Sequence, residues 1–182
     1  MSIRDVLGRA ESVTALDPVS DALRTRVLRG LDDRPAAGLL RGSWLGHPVH
    51  PAMVAVPLGA WTSSLVLDIV FRDHLAARRM IGFGLIAVPP ALATGWADWS
   101  LRDAPQRRAG LIHAAGNTVA VVLMLASYRR RKAAPGFRAS ALSVLGLGAA
   151  GAAGALGGHI AFSADASATV PQAAVRDDVD VG

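Results

Sequence analysis

Four long apolar runs, residues 51–71, 80–97, 109–127 and 139–162, alternate with short segments that hold most of the charge. Each run is near the ~20 apolar residues that a helix needs to cross a bilayer. Inside them the only ionisable residues are Asp68, His113 and His159. The pattern predicts an all-α protein whose residues 39–162 form an integral membrane four-helix bundle. Pro51 suits a first helical turn, where its missing N–H goes unnoticed, so His50 sits at or beside the cap of span one and His47 just outside. Pro89-Pro90 should kink span two, since two successive residues lack the helical donor. The fourth run is glycine-rich, and its Gly154 and Gly158 form a small-xxx-small pair that admits a close neighbour helix or a second copy of the chain in a homodimer.

The flanks read differently. Residues 1–38 form a polar arm with no apolar leader segment, so a cleaved secretory signal is not expected. Asp17-Pro18 can start a short amphipathic helix to about Leu31, with Val19, Leu23, Val27 and Leu31 on one face. That helix could lie on the membrane surface or pack on the bundle end. Arg34-Pro35 to Gly38 reads as a linker and Trp44 as an interfacial anchor. In loop one His74 reads as a solvated histidine, and in loop three Arg129-Arg130-Arg131-Lys132 reads as a headgroup-facing run. Residues 163–182 read as a flexible polar tail. No internal repeat is discernible.

Composition agrees with a membrane location. Of 182 residues, 52% are hydrophobic and 18% charged, against about 25% charged in an ordinary soluble domain; mean hydropathy is +0.36. The net charge of +5 and pI of 11.1 do not indicate nucleic acid, because the arginines lie in the inter-span loops, where they face lipid headgroups. With no cysteine, a disulfide, a thiolate-held iron–sulfur cluster and thioether-linked haem are excluded. Among the 19 basic residues Lys132 is the only lysine, a bias that suggests a GC-rich bacterium and hence the bacterial cytoplasmic (inner) membrane. Arginines near the spans tip the balance slightly toward loops one and three being inside; counting the whole N-terminal arm reverses it.

Four spans place the N-terminus, loop two and the C-terminus on one side. His50 opens span one, Asp98 closes span two, His113 lies just inside span three and His159 is near the exit of span four. At ~1.5 Å per helical residue, all four fall within about two turns of the same face, with Asn117 one turn below His113. Ionisable groups at membrane depth are costly and usually face a bundle interior, paired or liganded. Three functions fit this convergence. A b-type haem would use two axial histidines, best His50 and His113 with His159 or His47 as substitutes, and Arg102, Arg107 and Arg108 near its propionates; its work is electron transfer with a separate redox partner protein. A bare zinc, copper or iron ion would use His47, His50, Asp98, His113 and His159 together, in a metalloenzyme or a metal-binding protein. A hydrogen-bonded His/Asp/Asn cluster in a scaffold or assembly module needs no cofactor. No phosphate loop, nucleophile elbow or zinc-protease helix is present, so no catalytic residue is assigned and the sequence leaves open whether the protein is an enzyme.

The segments Gly46-His47-Pro48-Val49-His50-Pro51, Val56–Trp61, Thr94-Gly95-Trp96-Ala97-Asp98-Trp99, His113-Ala-Ala-Gly-Asn117 and Gly157-Gly158-His159 occur in an order that resembles the bacterial membrane family catalogued as domain of unknown function 2231. The resemblance covers about residues 39–162. It implies a four-helix integral membrane fold with no established activity; relatives fused to Rieske or cytochrome-like domains associate the family with redox work.

Overall fold

The computed structural model describes residues 8–31 and 34–168, with side chains to residue 161. After a helical stretch at 8–11 and a 3-10 turn, Thr14–Leu16, the described helices run in order: α1 Asp17–Leu31, α2 Pro35–Arg41, α3 His50–Ile69, α4 His74–Trp99, α5 Ala104–Ala133 and α6 Phe137–Ala168. Four of these, His50–Ile69, His74–Trp99, Ala104–Ala133 and Phe137–Ala161, are long and apolar enough to cross a membrane. Local chemistry explains their starts. Pro51 stands in the first turn of α3, and Asp73 and Asp103 cap α4 and α5 by accepting from the amides of Ala76 and Gln106.

The expected linker at 34–38 is instead the start of α2, because Pro35 occupies its first turn and Gly42, at φ +76°, closes it. Likewise α4 runs through Pro89-Pro90, and α6 extends past the end of its apolar run to Ala168. The remainder of the expected tail, 169–182, lies outside the described residues.

α3 packs along α4, and α5 along α6; the two hairpins then meet through α4–α5 and α3–α6. This leaves α3 and α5 on one diagonal of the bundle. Val66, Phe83, Ile86, Val119, Val122 and Leu145 are exposed, the face expected toward lipid. Inside, alanine, serine and glycine predominate. Between helices in lipid there is little hydrophobic driving force, so close approach of small residues and internal hydrogen bonds must hold them.

The buried positions reveal a repeat that linear reading missed. His50, Pro57, Trp61, Ser64 and Asp68 stand at the same intervals along α3 as His113, Ala120, Met124, Ser127 and Arg131 along α5. Ala77, Ile81, Gly84, Ala91 and Gly95 of α4 match Ala139, Ser143, Gly146, Ala153 and Gly157 of α6 in the same way. Contacts repeat with them: Gly84 lies against the Trp61 indole and Gly146 against the Met124 methyl, while Gly95 lies against the His50 ring and Gly157 against the His113 ring. Trp61, Ile81 and Met124 share one core cluster. The bundle is therefore two copies of one hairpin about a pseudo-twofold axis along its length. The register is hard to see along the chain because the largest and the charged equivalents differ in type (Trp61 and Met124, Asp68 and Arg131), while the pairs that agree are mostly alanine, serine and glycine.

At the end carrying loops one and three, the equivalent residues Asp68 and Arg131 meet across the axis. Both side chains are fully buried, and the guanidinium donates to both carboxylate oxygens, at 2.6 and 2.8 Å. Asp68 also bonds the His74 ring and accepts from Ser140, while Ser127 and Ser143 face Arg131. Arg131 is thus no headgroup-facing residue, and His74 is the first residue of α4, tied to Asp68 rather than free in solvent.

Candidate functional site

At the opposite end, the hairpin repeat creates two equivalent histidine settings. His50 Nδ1 lies 2.9 Å from the Ala91 carbonyl oxygen and 3.3 Å from Thr94 Oγ1. His113 Nδ1 lies 2.7 Å from the Ala153 carbonyl oxygen. A carbonyl only accepts, so Nδ1 carries a proton on both rings, and in the neutral imidazole Nε2 then carries the lone pair. Each ring lies over a glycine one turn beyond its acceptor: a Cβ on Gly95 would stand 2.8 Å from His50 Cε1, and one on Gly157 would stand 2.7 Å from His113 Cε1. Glycine is required there for space. The two rings stand at equivalent positions of α3 and α5, near the same end of the bundle.

The settings differ at Nε2. On His113 this atom lies 3.0 Å from Nδ2 of Asn117, which accordingly donates to it; Asn117 also donates to the His113 carbonyl. The matching position on α3 is Val54, and among the described residues Nε2 of His50 has no hydrogen-bond partner.

The other candidates divide into separate groups. His47 is exposed in the segment before α3, with Nδ1 3.1 Å from the Pro48 carbonyl. His159 faces Glu11 of the N-terminal arm, Nε2 to Oε1 3.4 Å. Asp98, one turn beyond Thr94 near the end of α4, forms no ion pair within 4 Å among the described residues. Among the described residues, no three His, Asp or Glu side chains gather in a way that could hold a metal ion. The expected common plane thus resolves into one histidine pair with Asn117, plus peripheral groups.

Arg107 and Arg108 have other work. Arg108 forms a two-pronged bond with Asp17 at 2.6 and 2.7 Å and donates to the Glu11 carbonyl. Arg107 donates to Asp21, Ser20 and the Arg102 carbonyl. Together with Arg24 on the Ser100 carbonyl and the contact of Ala10 with Ala109 and Leu156, these bonds settle the alternatives for α1: it packs on the bundle end. The Arg108 hydrogen bond holds the Asp17 carboxyl below the usual carboxylate range. Sequence reading missed Ala91, Thr94, Gly95, Ala153 and Gly157 as partners of the histidines; the repeated Ala-x-x-x-Gly in α4 and α6 was the available signal.

Comparison with known families finds a match over residues 46–169, described as a predicted membrane protein, DUF2231. No curated protein and no solved structure matches the chain. The matched segment takes in both hairpins and all five histidines. Since it spans more than half the chain and every element of the repeat, the protein belongs to the DUF2231 family of predicted membrane proteins.

Proposed function

We propose that this membrane protein binds b-type haem through His50 and His113 and serves in electron transfer, with a separate redox protein as partner. The observation that carries this reading is the pair of Nδ1–H bonds to backbone carbonyls. A histidine that ligates a metal through Nε2 typically donates its other ring N–H to a carbonyl or carboxylate, which fixes the tautomer and turns the lone pair outward. Both rings have that arrangement, on helices that face each other along one diagonal. Haem, when bound, supplies a one-electron couple. The chain's own contribution is orientation: Ala91 and Ala153 hold the rings, Gly95 and Gly157 leave room for them, and Asn117 must release Nε2 of His113 before that atom can ligate.

Two imidazoles suffice for haem, whereas a bare zinc site takes three or four protein ligands. The arrangement therefore favours haem over a bare zinc, copper or iron ion. The test is an absorption spectrum of detergent-purified protein offered haem, oxidised and reduced, with elemental analysis of the same sample. A Soret band that shifts on reduction in wild type, and is lost in His50→Ala and His113→Ala, supports the reading. Stoichiometric zinc, copper or iron without that band would replace it with the metal reading, and neither would leave a cofactor-free scaffold.

A further inference from the structure

Arg41 ends α2, which packs on α4. Its Nε and Nη2 atoms are buried and, among the described residues, have no hydrogen-bond partner. Guanidinium stays charged in any protein setting and its donors cannot be silenced by deprotonation. Leaving such donors unmet is expensive, more so than for neutral groups. At the other end of the bundle, Arg131 shows how this chain treats a buried guanidinium when it is purely structural: with a two-pronged carboxylate.

The surroundings of Arg41 indicate what it lacks. Asp98 lies on α4, the helix that α2 packs against, yet it forms no ion pair with Arg41 or Arg102 within 4 Å. The position is also specific. Asp98 follows Thr94 at i, i+4 on one face of α4, and Thr94 is the residue bonded to His50. The chain after Arg41 is pressed on the segment leading into His50: a Cβ on Gly42 would stand 2.2 Å from the His47 carbonyl oxygen. The last residues of α2 thus lie against the backbone that leads into His50, and Asp98 stands one turn beyond Thr94 on the helix that α2 packs against.

We propose that Arg41 binds a carboxylate of the ligand held by His50 and His113, so that its unmet donors are the anion-recognition element of the site. The inference rests on the haem reading and replaces Arg107 and Arg108, whose donors are engaged by α1. It makes recognition of an acidic ligand depend on α2, an element outside the two hairpins.

The experiment titrates the full-length protein in detergent with haem b and with its dimethyl ester, which keeps the ring and iron but has no carboxylate charge. Wild type should bind the acid about tenfold or more tightly than the ester, the scale of one charge-assisted hydrogen bond. Arg41→Gln should lose that preference while still binding the ester as wild type does; Arg41→Lys should retain part of it, having charge without the fork. Equal binding of acid and ester by wild type, or an undiminished preference in Arg41→Gln, overturns the assignment and leaves the haem reading intact. If neither porphyrin binds, the haem reading fails, and inorganic phosphate becomes the probe for Arg41. A rise in wild-type melting temperature with phosphate that Arg41→Gln lacks then supports an anion site at Arg41. Equal rises, or none, overturn it. Circular dichroism of each variant excludes misfolding as the cause.

Discussion

The two ends of the bundle use equivalent positions for opposite purposes. At one end Asp68 and Arg131 close on each other, and serines and His74 supply the remaining bonds. At the other end His50 and His113 each bond a carbonyl of their own hairpin through Nδ1, and among the described residues His50 Nε2 has no hydrogen-bond partner and Arg41 has two unmet donors. In a low-dielectric interior a satisfied network rigidifies, whereas unmet groups are costly unless something completes them. The difference separates a structural lock from a candidate binding site more sharply than a count of polar residues could. In the sequence, Asp68 and His113 stand alike as ionisable residues inside apolar runs.

The largest expected effect tests the lock. Arg131→Ala leaves Asp68 buried without its counter-charge and should cost ~3–5 kcal/mol, read by thermal unfolding in detergent. Asp68→Leu combined with Arg131→Met should recover most of it, since removing both charges leaves none uncompensated. A single mutant as stable as wild type would erase the contrast between the ends.

Next in size is a pair of equivalent glycines. A Cβ on Gly84 would fall 2.3 Å from Trp61 Nε1, a rigid ring, while one on Gly146 would meet nothing nearer than the Met124 methyl at 3.2 Å and the Ala120 carbonyl oxygen and Leu123 Cβ at 3.3 Å. Gly84→Ala should therefore cost ~1–3 kcal/mol through overpacking, and Gly146→Ala markedly less. Equal costs in the same melting experiment would show that the two halves pack less alike than their register suggests.

His74→Ala is a smaller perturbation. It removes one of several donors from Asp68 and should lower stability by ~1 kcal/mol, leaving haem uptake unchanged where His113→Ala abolishes it. Loss of uptake in both variants would mean that the ends are coupled and the division of labour is false.

The smallest effect concerns the docking of α1. The folded-state carboxyl of Asp17 is depressed by Arg108, so its contribution is fully present above its unfolded value of ~4 and is lost as pH falls through the folded value. Wild type should accordingly destabilise slightly more than Asp17→Asn on acidification below about pH 4. Parallel pH profiles would show that the exposed pair adds nothing, as is common for surface ion pairs.

The sequence by itself determined the number of spans, their approximate limits and the end of the bundle at which His50 and His113 lie, because helix length against bilayer thickness and the alternation of apolar runs with basic loops are local properties of the chain. It also marked out the family through the spaced His-Pro, Asp-Trp and His-x-x-x-Asn segments. Only the tertiary structure decided which polar groups meet. Arg131 sits in a run of basic residues and differs from its neighbours solely in facing the axis; Arg41 stands in what reads as a linker; His159 turns to Glu11 of a distant arm. The repeat stayed hidden for a related reason. Packing fixes which way equivalent positions face, but permits tryptophan to match methionine and aspartate to match arginine, so the two hairpins became recognisable when their buried faces were compared.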